Sequence, residues 1–226
     1  KREITNAYLI TDDDVIVCDP EGEYYPLVER FHGQVVKISP ASPHYINPMD
    51  MNLNYSDDDN PLSLKSDFLL SLCELIVGGR EGLQPIEKTV IDRAVRLVYQ
   101  PYLADPRPEN MPVLGDLHEI LKAAPETTRM AHILNRLVHG SANTFNKQTN
   151  VSLDNKYTVL DISSLTGDLL TVGMFVALDF VWDRAKADRT EEKTIFIDEC
   201  WQLLSGAGAT GTRLAGDFLL EIAKTI

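Results

Sequence analysis

Basic residues, cysteines and long apolar runs are all scarce in this chain, and each shortage excludes something. Lys and Arg together number 21 against 34 Asp and Glu, a net charge of −13 over 226 residues. So acidic a surface repels phosphate backbones, which excludes a general nucleic-acid binder; a local basic pore loop in an assembly remains compatible. The three cysteines, Cys18, Cys73 and Cys200, lie far apart without CxxC or other metal spacing. Two of them flank apolar strand runs and read as small buried hydrophobes, in a reduced, cytoplasmic setting. No apolar run approaches 18 residues, so no membrane-spanning helix is expected. The five histidines (32, 44, 118, 132 and 139) form no HxxxH or HExxH pattern, and their spacing makes no case for a metal centre. Nor does any Ser–His–Asp or Cys–His arrangement follow from spacing. A signal peptide is missing too. The chain opens Lys-Arg-Glu-Ile without an initiator Met and stops at Phe218–Ile226, inside a helical pattern. Both ends read as cuts in a longer protein.

What is present is an alternating rhythm. A helix tail over residues 1–10 is stopped by Thr11-Asp-Asp-Asp14, followed by a buried strand at Val15–Cys18. A short helix from Tyr25 to Phe31 and a second strand at Gln34–Ile38 come next, then a Pro/Asn-rich connection to Asn60. Helix and strand in alternation predict a parallel α/β sheet. The middle differs: helical spacing of apolar residues over 62–78, 85–99, 113–123 and 126–139, with a Pro-rich stretch at 101–112. Residues 61–150 are therefore read as an all-helical insertion, and 1–60 with 151–226 as the α/β core. The rhythm resumes with a strand at Tyr157–Ile162, a helix over 166–188 apolar on most sides, and a strand at 194–197.

The stretch Thr194-Ile-Phe-Ile-Asp-Glu199 carries the most information. A strand buried on both faces must be apolar throughout, so two acids at its carboxyl end fall where an open α/β sheet places its ligand crevice. Two readings fit: a magnesium acid (Asp198) followed by a residue that orients or deprotonates water (Glu199), or a solvated acidic turn. Asp19-Pro-Glu-Gly-Glu-Tyr24 leaves another buried strand. There Pro20 fixes the exit and Gly22 permits a tight turn, so that Asp19, Glu21 and Glu23 approach a common point. Two adjacent strands ending in carboxylates at one sheet edge suit a magnesium–nucleotide site. Asp161 ends a third strand and reads as a cap for the segment containing Ser163 and Ser164. Gly78-Gly-Arg-Glu-Gly82 reads as a hinge or turn. Gly206–Gly211 satisfies G-x-x-x-x-G but continues Thr-Arg, with no strand before it, and reads as a loop; the chain has no Walker A motif. Arg93 and Arg96, with Glu87 on the same helix, read as surface ion pairs.

Assembled, these residues resemble the conjugative-transfer ATPases of type IV secretion systems, the Vir/Tra class within the HerA–FtsK superfamily of P-loop NTPases. The carriers, in family order across nearly the whole chain, are Val15–Tyr24, Tyr45-Ile-Asn-Pro-Met-Asp50, Pro85–Arg93, Phe145-Asn-Lys-Gln-Thr-Asn-Val151 and Ile195-Phe-Ile-Asp-Glu-Cys-Trp201. They look most like the versions carried by conjugative elements, such as conjugative transposons, of Gram-positive bacteria. The resemblance implies a RecA-like ATPase core using ATP and Mg²⁺, hexamerising with itself and docking on other secretion-channel components. Its place would be cytoplasmic, peripheral at the inner face of the cell membrane, with DNA a possible cargo but not through the acidic surface. It also implies roles: Asp198 as the Walker B acid on magnesium, Glu199 as catalytic base, and Asp19 and Glu23 as a second acidic pair around the nucleotide, Asp19 binding and Glu23 catalytic. Members of the family carry the P-loop just before the residues that begin this chain, so these 226 residues alone are expected to be inactive. Alternatives are a DNA translocase or coupling protein of the same superfamily, and a non-enzymatic module in which 61–150 docks a partner.

Overall fold

The computed structural model describes residues 1–53, 60–77, 82–187 and 192–201, together with 216, 219 and 220. Its centre is a parallel sheet of β1 (Asp14–Asp19), β2 (Gln34–Lys37), β3 (Tyr157–Asp161) and β4 (Lys193–Ile197), in the order β2-β3-β1-β4. β-Branched residues make up half of these runs and suit a pleated, packed surface. β1 and β3 lie in the middle of the sheet, and β3 is buried along its whole length, β1 from Val15 onward. β4 differs from the sequence expectation. Every one of its residues is only half-buried, because among the described residues it is an edge strand, paired with β1 alone.

Helices cover both faces, giving the expected α/β architecture. On one face, α1 (Arg2–Asn6) continues into a π-helical turn at Ala7–Thr11 and packs beside α2 (Tyr25–Phe31). Ile4, Val28 and Phe31 meet Val15, Val17, Tyr157 and Val159 there, and Tyr8 stacks on Phe31 at 4.4 Å between ring centroids. The opposite face lies under α8 (Asp168–Ala187), on which α3 (Pro61–Val77) packs, their Phe175 and Phe68 rings stacking at 5.0 Å. Behind these stand α4 (Pro85–Val98), α5 (Gln100–Ala104), α6 (Leu114–Ala123) and α7 (Thr128–Val138). The α5 turn falls in the stretch read as Pro-rich; Pro101 sits in its first turn, where a missing N–H costs nothing. One apolar cluster runs from Ile16, Val36 and Leu160 on the sheet to Leu117 and Leu134 in the helical layer. The helical segment thus shares its core with the sheet.

Polar residues fix how that layer attaches. Lys65 of α3, only 3% exposed, sits 2.7 Å from Asp179 and 3.8 Å from Asp183 on α8. Burial opposes its charge, but the carboxylates of Asp179 and Asp183, joined by Asp50, prevail and raise its pKa. Two of the motifs that carried the resemblance meet at the base of the layer. Tyr45 and Asn150 exchange hydrogen bonds, the Asn47 N–H donates to Thr149 Oγ1 at 2.7 Å, and the Asn47 amide donates to the Pro112 carbonyl at 2.8 Å. Asn146 then accepts the Gly115 N–H at the start of α6 and donates to the Val138 carbonyl at the end of α7.

The ion-pair reading of α4 is half corrected. Arg96 does pair with Asp92 on the surface, whereas Glu87 is buried against α7. Both its oxygens receive Arg129, at 3.1 and 2.7 Å, and it caps its own helix through the Gln84 N–H. Of the turn read at Gly78–Gly82 all but Gly82 lies outside the described residues, as do the loop at Gly206–Gly211 and the helical pattern of residues 218–226 apart from Leu219 and Leu220. Among the described residues no helix is long and apolar enough to cross a membrane.

Candidate functional site

Parallel pairing brings three strand ends to one edge. Asp19 is in register with Asp161, and because Cys18 pairs with Ile197, Asp198 follows at the same level on the other side. The Asp198 N–H donates to the Cys18 carbonyl at 3.1 Å and the Ile162 N–H to the Asp19 carbonyl at 3.1 Å, so the ladder runs to the edge. The carboxyl edge therefore holds a row of three acids, Asp161, Asp19 and Asp198.

Their environments separate them. Asp19 is fully buried, and its carboxylate accepts the N–H groups of Glu21, Gly22 and Tyr24 at 3.2, 2.8 and 3.2 Å. The loop folds around that side chain, helped by Gly22, whose φ of +72° few other residues tolerate. Glu21 and Glu23 point outward instead and are exposed, so the structure does not gather Asp19, Glu21 and Glu23 at one point. Glu23 reaches the Lys1 ammonium at 3.2 Å, and that ammonium also lies over the Tyr24 ring. The start of α1 is thereby placed at this same edge.

Asp161 is 1% exposed and behaves as the expected cap, taking the N–H and hydroxyl of Ser163 at 2.9 and 2.6 Å. Burial works against its charge, yet the Ser163 and Tyr25 hydrogen bonds and the Lys37 ammonium hold its pKa below the usual value. Sequence reading missed Tyr24 and Tyr25, which tie the row together. Tyr25 donates to Asp161 at 2.6 Å and Tyr24 to Asp198 Oδ2 at 2.7 Å. The bond to Asp161, with burial, pushes the Tyr25 phenol up to about 12; burial first, and then the bond to Asp198, raises Tyr24. Adjacent aromatics after an acidic strand end were the available signal.

Asp198 and Glu199 are half-buried at the end of the edge strand. The Glu199 N–H donates to Asp198 Oδ1 at 3.0 Å, and the Trp201 indole donates to the Glu199 carboxylate. Glu199 sits at φ +49°, a left-handed conformation that costs a side-chain-bearing residue and is concentrated at functional sites. The donors at this edge are all hard oxygens, which fits Mg²⁺ and its retained waters, and Asp198 keeps lone pairs beyond those taken by Tyr24 and Glu199. Cys18, next to the row, is buried and its thiol pushed up to about 12, chiefly by burial. Cys73 is buried likewise, while Cys200 is exposed. His118, buried, and His139, exposed, converge with Glu119 in the helical layer, away from this edge, a meeting that spacing along the chain does not show.

No protein-family model and no curated protein matches the chain. Its fold is similar to the solved structure of VirB4 of Thermoanaerobacter pseudethanolicus, with a TM-score of 0.82 and 24% identity over 100% of this chain and 89% of that one. The likeness spans the whole chain, its parallel sheet and its helical layer alike, and fits a RecA-like α/β fold.

Proposed function

We propose that this chain is the core of an ATPase motor subunit of a conjugative type IV secretion system, using ATP and Mg²⁺. The observation that carries the reading is the Asp198–Glu199 pair at the carboxyl end of β4, beside β1, with Glu199 held at positive φ. Asp198 would hold Mg²⁺ through water, and the magnesium would neutralise phosphate charge. Glu199, whose carboxylate receives the Trp201 indole, would accept a proton from the attacking water. Asp19 shapes the loop that carries Glu23 and Tyr24, and Glu23 is the exposed acid of that loop. The fold likeness to VirB4 and the ordered Vir/Tra motifs support the secretion setting. A homo-hexamer docked on channel components at the inner membrane face, with 61–150 as a helical insertion that packs on the α/β core, belongs to the same proposal.

The 226 residues contain no G-x-x-x-x-G-K-[ST], so they are assigned the magnesium and water-activating half of the site. Titrating them with Mg-ATP is expected to give weak or no binding, and micromolar affinity would contradict that assignment. In the protein that carries the phosphate-holding residues, Glu199→Gln is expected to cut ATP turnover about 10²–10⁴-fold. Near-normal hydrolysis by that variant would sink the reading.

A further inference from the structure

A second constellation lies in the helical layer, remote from the row of strand-end acids. α6 carries His118 and Glu119, and His139 caps the carboxyl end of α7. The two imidazoles stand edge to face, centroids 5.5 Å apart at 84°. His118 Nδ1 is 3.2 Å from Glu119 Oε1, and one donor atom from each of the three residues lies within 4.8 Å of the others. His118 is 4% exposed, while Glu119 and His139 reach the surface. Both histidines border a cavity of about 230 Å³.

We propose that His118, Glu119 and His139 bind a divalent transition-metal ion of the zinc class. Two imidazole nitrogens and one carboxylate suit Zn²⁺, whereas Mg²⁺ and Ca²⁺ call for oxygen donors throughout. Bonds of 2.0–2.2 Å in a tetrahedron set the donors about 3.3–3.5 Å apart. The His118–Glu119 pair already stands at 3.2 Å, and the remaining gap closes by turning His139, a surface side chain at a helix end. Lys122, 3.7 Å from Glu119, is an exposed partner that a cation there displaces at little cost. His132 lines the same cavity but sits two turns before His139, about 10 Å along the helix, and is not one of the three donors. The fourth position opens to the cavity and is left for water or a small ligand. A bound ion would join the end of α7 to α6.

The test is a titration of the metal-stripped chain with Zn²⁺, followed by calorimetry, with Co²⁺ as a spectroscopic probe. One equivalent should bind with micromolar or tighter Kd, and Co²⁺ should show the visible absorption of a low-coordinate histidine site. His139→Ala and Glu119→Gln change surface side chains, and each should weaken binding at least about tenfold. His132→Ala should leave it unchanged. No saturable uptake, or uptake that His139→Ala and Glu119→Gln leave intact, overturns the proposal. So does an equal loss in His132→Ala.

Discussion

The two central strands β1 and β3 end in aspartate and the edge strand β4 runs directly into another, Asp198, yet these carboxylates do different work. On β1 and β3 the acids are sealed in: Asp19 is saturated by three backbone N–H groups, and Asp161 by Ser163 and Tyr25. On β4, Asp198 and its neighbour Glu199 stay half-exposed. A strand covered on both sides forces its terminal acid to find partners within the protein, because a buried unpaired charge is too costly. An edge strand leaves its acids free to meet a ligand. Position in the sheet thus separates the acids that build this edge from those that can act at it.

Substitutions can break that division, and the largest stability effect is expected at Asp19. Asp19→Ala orphans three N–H groups in a buried loop and should cost about 3 kcal/mol, read from the denaturant midpoint. A loss under about 1 kcal/mol would mean that the loop holds without it. Asp161→Ala should cost about 2 kcal/mol at neutral pH. Because its folded pKa is lowered, that contribution is present above the ordinary carboxyl value of 3.8 and fades as pH falls through the folded value. Wild type and variant should therefore converge in stability on acidification, and a pH-independent gap would contradict the cause given. Tyr24→Phe, which deletes one bond to Asp198, should cost about 1 kcal/mol. Asp198→Asn should change stability least, by less than about 0.5 kcal/mol, since the amide oxygen still accepts the Glu199 N–H and the amide NH2 can donate to the Tyr24 hydroxyl in place of the bond it received. If Asp198→Asn proved as destabilising as Asp19→Ala, the edge acid would be structural and the division would fail.

Much of the fold was legible in the sequence because periodicity reports local geometry. The strands at Val15–Cys18, Gln34–Ile38 and Tyr157–Ile162 stand within a residue or two of β1, β2 and β3, and each long helix was recognisable from its apolar spacing. α5 was obscured because Pro101 reads as a breaker unless its place in the first helical turn is known. The three-acid row was partly legible, since strand ends that share a parallel sheet share an edge. Which carboxylate turns inward was not, because the Asp19 partners are backbone N–H groups that no residue type announces. The Tyr24 and Tyr25 hydrogen bonds reach across 174 and 136 residues, beyond any local pattern. The same holds for His118 and His139, joined only by the packing of α6 on α7, and for Glu87, whose partner Arg129 lies on another helix.

The pairing of Tyr45–Asp50 with Thr149–Asn150 has a consequence for how such a chain can change over time. It holds the entry and exit of the long excursion between β2 and β3 at one point. The entropy lost in closing a loop grows only logarithmically, about 0.6 kcal/mol for each doubling of length. With its ends clasped, the sheet registers where the excursion leaves and returns, and hardly how long it is. Exposed connections there can be lengthened while the helices that share the sheet's core, and the row of strand ends, keep their places.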